Sequence, residues 1–595
     1  MTRTPLLSMV ALASLTTGCR AIDPDPELQP FTGCDEMSEY MAGMALDEAR
    51  YSWALGFDMN VGFAQNEMAL SGGDSSGGAG SYSTTNLQEA GVDEADLVKT
   101  DGTYLYSIAG THLLISKGWP VEEAEEVARI EIDGKPDGLY LDEDLVVVVS
   151  LIEPWYGMSA APRSGTDPER NESSTLVTLV DVGDASDPVV LRETYTSGSY
   201  ETSRRIDDQL YVVTYQDLDI TADADNLREA RKTIRKAEAS NWLPWRQDHV
   251  LVDADADAWD VQEGRACGCT EVYASPREGG TYLTNVLALD LSDPLSEFQG
   301  EAVVGRADTV YASPNAFYVA YSEWEEGPFA TIDPTLDTVI HKFDISEAAD
   351  HPAYLASAKI DGVLSDEFAL SEQNDVLRVA TSNPSSIDSA VFTLLEEDGE
   401  FQHLDRQGNI APGEEIYAAR FVGDLGYLVT YEVMLGDPLF TLDLSDPDNI
   451  VVAGELAVTG WSDYIQPMDE DHLLTVGMDE GDDGWRLAVS LFDVSDMEEP
   501  VLADRELVDA YGSEAQSEHH AFNYFADTQT LTIPSWTTEY DSVLEVLEAT
   551  PEGLDWVGSV PQDTVLEDQE DTWCAPVRRS VIMEEMVWAV SAAGL

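Results

Sequence analysis

The stretch GYLVTYEVMLGDPLFTLDLSDPDN (residues 426–449) and the stretch HLLTVGMDEGDDGWRLAVSLFDVSD (residues 472–496) repeat one pattern. In each, an apolar strand is followed by a second strand that ends in a tag of Asp, a hydrophobic residue, Ser and Asp. The tags begin at Asp443 and Asp493, 50 residues apart. Because self-similarity at a fixed spacing is typical of repeat architectures, these stretches predict a fold built from equivalent units.

The same tag recurs, complete or in part, further upstream. It begins at Asp181, Asp290 and Asp344, so the successive intervals are 109, 54, 99 and 50 residues, close to one or two repeat units. The tag ends one strand, and its polar residues are expected to turn the chain into the outermost strand of the unit. Units of four short strands without intervening helices predict a β-propeller, whereas stacked sandwiches would show no such period.

The number of blades follows from strand pairs that join an apolar strand, a polar turn and a strand rich in β-branched or aromatic residues. One pair begins at Leu97, and the others are centred near residues 147, 212, 318, 378, 428, 475, 531 and 588. Because both chain ends of a propeller normally contribute to one closing blade, the pairs predict eight blades, with seven as the alternative. The final unit ends after its second strand, so N-terminal strands complete it or it stays short.

The predicted fold is therefore all-β, a single β-propeller with a short N-terminal helix and a helical insertion. The helix is predicted from an apolar stripe of Met37, Met41 and Ala45. The insertion contains the most basic stretch of the chain, NLREARKTIRKAEAS. The expected organisation is a targeting segment over 1–19, an arm over 20–70 with a helix over 35–57, a Gly/Ser linker over 71–83, and a propeller over 84–595 with its insertion at about 217–276.

The first 19 residues predict export. Arg3 precedes a short apolar run over residues 6–15, which is too short for a permanent membrane helix. The following Thr-Thr-Gly-Cys is similar to a bacterial lipoprotein processing site, with Cys19 as the lipid attachment residue. Ordinary secretory cleavage nearby is the alternative. Both place the protein outside the cytoplasm, either anchored by lipid in the periplasm or at the cell surface, or secreted.

Four other cysteines allow disulfides in an oxidising compartment. A bridge between Cys34 and Cys574 would join the N-terminal arm to the closing blade, although three connectivities are possible. Cys267 and Cys269 are too close in sequence for a relaxed mutual disulfide, and no nearby ligand pair supports a metal site there.

The charge restricts the possible partners. With 115 acidic against 30 basic residues, the net charge of -85 would repel nucleic acid and anionic membranes. We therefore expect no nucleic-acid partner, contact with a membrane only through the N-terminal lipid, and a monomeric protein.

The chain resembles the secreted bacterial and archaeal propeller proteins whose C-terminal β-propeller domain is distantly related to WD repeats. The resemblance covers about 80–595 and implies an extracytoplasmic propeller, without an established reaction. At Gln466 the chain departs from the His that is usual in the family. The resemblance rests on segments 83–86, 91–102, 203–204, 420–424, 437–439, 462–464, 492–496 and 520–522.

Catalytic motifs are absent from the sequence: it contains no HExxH, Walker or nucleophile-elbow pattern. His519 and His520 are expected on a strand, where they would point to opposite faces, so that one of them at most could join a site. Exposed tryptophans such as Trp242, Trp245, Trp485 and Trp536 could line a glycan or peptide face, although burial between blades is the leading interpretation. No cofactor is expected apart from a possible calcium ion held by acidic loops. The candidate calcium ligands are Asp217, Asp219, Asp223, Asp225, Asp253, Asp255 and Asp257.

The expected function is that of a non-catalytic binding scaffold at the cell envelope, with a protein, peptide or glycan as its partner. One alternative is an extracytoplasmic hydrolase or lyase that uses carboxylates lining the channel. A second alternative is an acidic surface or adhesion component.

Overall fold

The computed structural model of the chain describes residues 27–55 and 80–595, apart from gaps within the second range. The gaps are 154–172, 219, 221–223, 225, 255, 257, 276–279, 325–335, 347–351, 385–387, 432–436, 482–483, 538–540 and 562–575. The described residues form an all-β propeller of eight blades, as predicted. Among them, no helix combines the length and the apolar character that crossing a lipid bilayer requires.

The N-terminal arm precedes the first two blades. The arm comprises β1 (Gln29–Pro30) and α1 (Cys34–Leu55). Blade 1 comprises β2 (Val98–Thr100), β3 (Tyr104–Ala109), β4 (His112–Lys117) and β5 (Glu125–Glu131). Blade 2 begins with β6 (Lys135–Asp142), β7 (Leu145–Ile152), β8 (Ser174–Asp181) and β9 (Val189–Ser197).

Blade 3 contains the insertion, which separates its second and third strands. The blade starts with β10 (Ser199–Ile206) and β11 (Gln209–Asp217). The insertion comprises α2 (Leu227–Ile234), β12 (Trp245–Asp253), β13 (Ala258–Arg265) and β14 (Val272–Ala274). The blade resumes with β15 (Tyr282–Asp290) and β16 (Gln299–Val304).

The remaining blades follow without long insertions in the described chain. Blades 4 and 5 are β17 (Thr309–Ala312), β18 (Ala316–Trp324), β19 (Leu336–Asp344), β20 (Ala353–Asp361), β21 (Leu370–Gln373), β22 (Val376–Asn383), β23 (Asp388–Glu397) and β24 (Glu400–Ile410). Blades 6 and 7 are β25 (Glu415–Val422), β26 (Leu425–Tyr431), β27 (Asp437–Asp443), β28 (Val451–Val458), β29 (Trp461–Pro467), β30 (His472–Gly481), β31 (Gly484–Asp493) and β32 (Val501–Val508). Blade 8 is β33 (Ala510–Ser513), β34 (Asn523–Phe525), β35 (Thr530–Thr537), β36 (Ser542–Thr550) and β37 (Gly553–Pro561).

The final unit stays short. It consists of β38 (Val577–Met583) and β39 (Met586–Ser591), which form a two-stranded sheet. An isolated bridge from Tyr82 to Met583 is the N-terminal contribution to this sheet. Buried Val98 and Leu105 of blade 1 pack against Val581 of β38, so the sheet connects the last blade to the first.

The repeated tag has a structural role in blades 2, 3, 4, 6 and 7. Its Asp side chain accepts a hydrogen bond from the backbone two residues later, as Asp493 Oδ1 does from Ser495 N at 3.0 Å. Its hydrophobic residue is buried, and the N–H of that residue donates to a carbonyl in the turn of the preceding hairpin at 2.7–3.1 Å. The tag therefore holds the end of the third strand against that hairpin. These donors and acceptors are Val182 to Asp144, Leu291 to Asp208, Ile345 to Asn315, Leu444 to Asp424, and Val494 to Asp471.

The insertion enlarges the outer edges of two blades and holds the N-terminal arm. Strands β12 and β13 extend blade 2 beyond β9, while β14 pairs with both β16 and β1. Met37 and Met41 of α1 are buried in one cluster with Trp242 of the insertion. The predicted apolar stripe of α1 therefore packs against the insertion of the same chain.

The predicted bridge between Cys34 and Cys574 is wrong, because Cys34 forms a disulfide with Cys269. The pairing is decided by the insertion, which brings the short turn containing Cys269 beside the start of α1. Cys267 is a buried free thiol, and burial raises its pKa. Cys574 and the predicted lipid-attachment residue, Cys19, lie outside the described residues.

Candidate functional site: the central channel

Residues 83–97, here called the channel segment, pass the inner strands of the blades in the reverse of their chain order. Ser83 N donates to Ile582 O of β38 at 2.7 Å. Asn86 Nδ2 then donates to the Tyr464 hydroxyl of blade 7 at 2.8 Å. The backbone of the segment next accepts a hydrogen bond from Arg420 of blade 6, which donates to Leu87 O at 3.0 Å.

The second half of the channel segment continues around the ring. Gln88 Nε2 donates to Glu367 O, just before blade 5, at 2.7 Å. Glu89 accepts from the Tyr311 hydroxyl of blade 4 at 2.7 Å. Asp93 forms a backbone bridge to Arg205 of blade 3, and Asp96 forms one to Leu139 of blade 2, before the chain enters blade 1. Asn523 Nδ2 of blade 8 also donates to Ser83 Oγ at 3.1 Å, so the segment contacts every blade of the ring.

Ion pairs fix the end of this segment. Asp93 contacts Lys99 Nζ at 2.8 Å and Arg205 Nε at 3.2 Å, and Asp96 contacts Arg579 Nε at 2.7 Å. Burial disfavours the charged form of Asp93, but Lys99 and Arg205 outweigh burial, so its pKa is lowered. The same balance between burial and the charges of His520 and Arg579 lowers the pKa of Asp96. Both carboxylates are therefore anions across the physiological pH range.

A second group of charged side chains is buried deeper. Glu94 and Arg204 are each 1% exposed, and Glu94 Oε1 lies 2.9 Å from Arg204 Nε. Burial raises the pKa of Glu94 well above its ordinary value; Arg204 opposes this shift and the charge of Glu367 adds to it. Burial, together with the neighbouring charge of Asp366, also raises the pKa of Glu367.

His519 and His520 belong to this buried group. They lie in a 3-10 turn, His519–Ala521, and their ring centroids are 4.9 Å apart. The expectation that they occupy a strand and point to opposite faces is wrong, because the two residues lie in a turn in which both rings are buried next to each other. Burial lowers the pKa of His519 well below its ordinary value, and the neighbouring His520 and the positive charge of Arg420 lower it further, so the His519 imidazole is neutral.

A cavity of about 470 Å³ opens between the channel segment, blades 1 and 2, and β38. Its cationic side chains are Lys99 and Arg205, and His520 also lines it. Its rim carries exposed Glu143 and Asp144. Carboxylates therefore dominate the lining: Asp93, Asp96, Asp101, Asp142, Glu143 and Asp144. We call this space the channel cavity.

Only two of the seven predicted calcium ligands lie among the described residues, so the calcium site stays a prediction. Asp217 and Asp253 are exposed at the ends of β11 and β12. Asp253 Oδ1 accepts from Ala256 N at 3.2 Å. Among described residues, neither belongs to a group of three side chains placed to hold a metal. Asp219, Asp223, Asp225, Asp255 and Asp257 lie outside the described residues.

Of the four tryptophans named above, two are buried and two lie at or near the surface in the described structure. Trp242 and Trp245 are buried, in agreement with the structural interpretation. Trp485 is exposed and packs on Trp461, with ring centroids 4.8 Å apart, while Trp536 is half-buried beside Tyr511.

Sequence reasoning missed Glu94, Glu367 and the role of the channel segment. Glu94 lies in GVDEADLVKTDG, a densely charged stretch that also carries part of the family resemblance. A charged stretch without helical or strand periodicity inside a repeat fold could have suggested a buried ion-pair network. Other segments that carry the resemblance contribute side chains that contact the channel segment. These side chains are Arg204, Arg420, Tyr464 and His520.

The chain is similar in sequence to two uncharacterized archaeal proteins. An uncharacterized protein of Methanocaldococcus jannaschii, MJ1554, is 24% identical over 498 residues, which are 77% of this chain and 75% of the relative. An uncharacterized protein of Archaeoglobus fulgidus is 35% identical over 202 residues, which are 34% of this chain and 30% of the relative.

Similar solved structures include a putative 6-phosphogluconolactonase of Bacteroides fragilis, at 10% identity and a TM-score of 0.30, over 66% of this chain and 96% of that one.

The family described as Beta propeller domain matches residues 82–595. That match covers most of the sequence and includes the channel segment and every blade. The chain therefore belongs to the Beta propeller domain family.

Proposed function

We propose that this protein is an extracytoplasmic, lipid-anchored and non-catalytic propeller that binds a positively charged peptide group of an envelope partner in the channel cavity. The observation that carries this proposal is the excess of carboxylates over cations in the cavity lining. The net charge of -85 supports it, because the field of the whole protein attracts cationic partners.

The state of the inner carboxylates supports binding rather than acid–base chemistry. Asp93 and Asp96 have lowered pKa values and are already paired with Lys99, Arg205 and Arg579. A general acid needs a pKa near the working pH, and these groups have been shifted away from it. Their role is instead to hold the cavity wall in one geometry.

The rim carboxylates provide the attraction. Glu143 and Asp144 are exposed, and none of the described cations forms an ion pair with either of them. The Asp101 carboxylate already has hydrogen-bond partners in its own turn, because its Oδ1 accepts from Thr103 N and Tyr104 N, both at 2.7 Å. A lysine or arginine side chain entering the cavity would therefore meet Glu143 and Asp144 first.

An extracytoplasmic hydrolase or lyase is the second candidate. The observation in its favour is the raised pKa of Glu94 and of Glu367, since a carboxyl group with a raised pKa can act as a general acid. Glu94, which belongs to the channel segment, is 1% exposed, and Glu367 is 8% exposed. A substrate would reach these two carboxyl groups only if the packing around them opened.

Titration calorimetry with a tetralysine peptide tests the binding proposal, with a tetraglutamate peptide of the same length as the ligand control. We expect tetralysine to bind and its affinity to fall with added salt. The double variant Glu143→Gln, Asp144→Asn should weaken binding by about fivefold, since two exposed charge pairs of about 0.5 kcal/mol each sum to about 1 kcal/mol. The matched control is Glu498→Gln, Glu499→Gln, which removes two exposed charges from the loop that precedes β32. Equal binding of both peptides, or equal effects of both double variants, would contradict the proposal.

Fractionation of cells tests the anchor separately. We expect the full chain in the membrane fraction, and the Cys19→Ser variant in the soluble extracytoplasmic fraction. Equal membrane association of both proteins would remove the lipid anchor from the proposal while leaving the ligand site untouched.

A further inference from the structure

We propose that Glu94, His519 and His520 form a binding site for a divalent transition-metal ion, for which zinc fits the donor set best. The ion would tie the channel segment to blade 8. This site is separate from the predicted acidic loops and does not depend on the ligand of the channel cavity.

The three side chains already converge. One ligand atom from each, a carboxylate oxygen of Glu94 and a ring nitrogen of each histidine, lies within 4.8 Å of the others. All three residues are at least nine-tenths buried. Zinc holds nitrogen and oxygen ligands at about 2.0–2.2 Å, so only a small inward movement of the side chains is needed.

Unpartnered polar atoms at this position are an independent sign of a missing ligand. Glu94 Oε2, His520 Nε2 and both ring nitrogens of His519 are buried without a hydrogen-bond partner. Each unpaired buried polar group costs on the order of 1–3 kcal/mol, so several of them in contact need a physical explanation. One bound cation would satisfy an atom on each of the three residues.

The other atoms of the ligands are held as a metal site requires. Glu94 Oε1 contacts Arg204 Nε at 2.9 Å, which leaves Oε2 free for the ion. His520 Nδ1 contacts Glu518 Oε1 at 3.0 Å, which leaves Nε2 free. A carboxylate on the remote nitrogen is the usual way in which a metal-binding histidine is oriented.

Aromatic packing fixes the remaining ligand. The His519 ring stacks on Tyr464 at a centroid distance of 5.7 Å and meets Phe368 edge-on at 5.0 Å. These contacts hold the ring without using its nitrogens.

The donor set discriminates among ions. Calcium and magnesium prefer sites made of oxygen atoms, whereas two imidazoles and a carboxylate suit zinc and its neighbours in the first transition row. The site would also contribute to stability, because metal bound only by the folded state adds its binding free energy to folding.

The test uses the full mature chain, stripped with a chelator and then titrated with zinc alone or with cobalt(II) as a spectroscopic probe. We expect one ion per chain, visible cobalt absorption of a low-symmetry site, and a higher melting temperature with zinc than with calcium. A folded stripped chain that binds neither ion would overturn the proposal.

Variants assign the site to its residues. Glu94→Gln keeps the shape of the side chain and its contact with Arg204. Loss of a residue that only orients a ligand lowers metal affinity roughly 10–100-fold, and loss of the Glu94 ligand itself should lower it by more than that. His520→Gln should do the same. The matched control is His472→Gln, which removes a histidine that contacts Asp469 at 2.8 Å near the surface of blade 7. If Glu94→Gln folds and binds zinc as tightly as His472→Gln, the assignment is wrong, and if it does not fold, the wild-type titration decides.

Discussion

Asp96 and Arg579 stand 483 residues apart in the chain and form an ion pair of 2.7 Å in which each side chain is 3% exposed. Arg579 also contacts Glu514 Oε1 at 3.0 Å, so this guanidinium connects the channel segment, β38 and blade 8. Closure of the ring therefore depends on buried charge at the centre as well as on strand pairing.

Replacing Arg579 with Met should destabilise the protein by about 3–5 kcal/mol, because it leaves the Asp96 carboxylate buried without its partner. Urea unfolding, followed by tryptophan fluorescence, would measure the change. The matched control is Arg129→Gln, which breaks an exposed pair with Glu126 at 2.9 Å. That control should cost no more than about 1 kcal/mol. Similar losses in the two variants would mean that the central ion pair does not hold the ring closed.

Removal of the Cys34–Cys269 disulfide should loosen the N-terminal arm rather than the ring. Its loss in Cys34→Ser should lower the stability of the arm–insertion contact by about 2–4 kcal/mol. Hydrogen exchange in α1 should accelerate, while exchange in blades 5 to 7 stays unchanged. Cys267→Ser is the control, since that thiol is buried and unbridged. Peptide mapping of a proteolytic digest made without reductant checks the pairing. If no peptide pair linked through Cys34 and Cys269 is found, the pairing is contradicted.

The stability of blade 7 should depend on pH through Asp463. Burial raises the pKa of Asp463 to about 6, against hydrogen bonds from Gln516 and Trp461 that favour its anion. The folded state therefore binds a proton more tightly than the unfolded state. Protonated Asp463 therefore contributes to the stability of the folded state. This contribution is fully present below pH 3.8, the ordinary pKa of Asp, and is lost as the pH rises through about 6.

Asp463→Asn should remove that dependence. Across this window, the difference in unfolding free energy between wild type and variant should change by up to about 3 kcal/mol. Urea unfolding at several pH values measures it, and Asp448→Asn, at an exposed position in the loop after β27, should keep the slope of the wild type. A variant as pH-dependent as the wild type would contradict the assignment.

Gly477→Ala should destabilise blade 7, because a Cβ atom there would lie 1.8 Å from the carbonyl oxygen of Trp461 on the neighbouring strand β29. Overpacking of this kind costs about 1–3 kcal/mol or more. Gly43→Ala, in helix α1, is the opposite control, since nothing lies within 4 Å of its added Cβ. That change should stabilise by about 0.5–1 kcal/mol. Thermal denaturation of both variants checks the sign of each effect, and a tolerated Gly477→Ala would mean that β29 and β30 are less closely paired.

The repeating architecture follows from local patterns in the sequence. Alternating apolar strands, polar turns and tags such as Asp443 and Asp493 are local patterns, and the backbone needs only local information to form a hairpin and its turn. For the same reason, the helix predicted over 35–57 is present as Cys34–Leu55, and the basic segment of the insertion is helical over Leu227–Ile234.

Which distant residues meet depends on the three-dimensional arrangement of the blades and the insertion. Glu94 joins His519, Asp96 joins Arg579, and Cys34 bonds to Cys269 rather than to Cys574. Periodicity carries no information about such partners, since they depend on how the blades close around the channel segment and where the insertion folds back. The candidate site is built from these long-range contacts, so the strands could be predicted from local sequence while the chemistry of the channel could not.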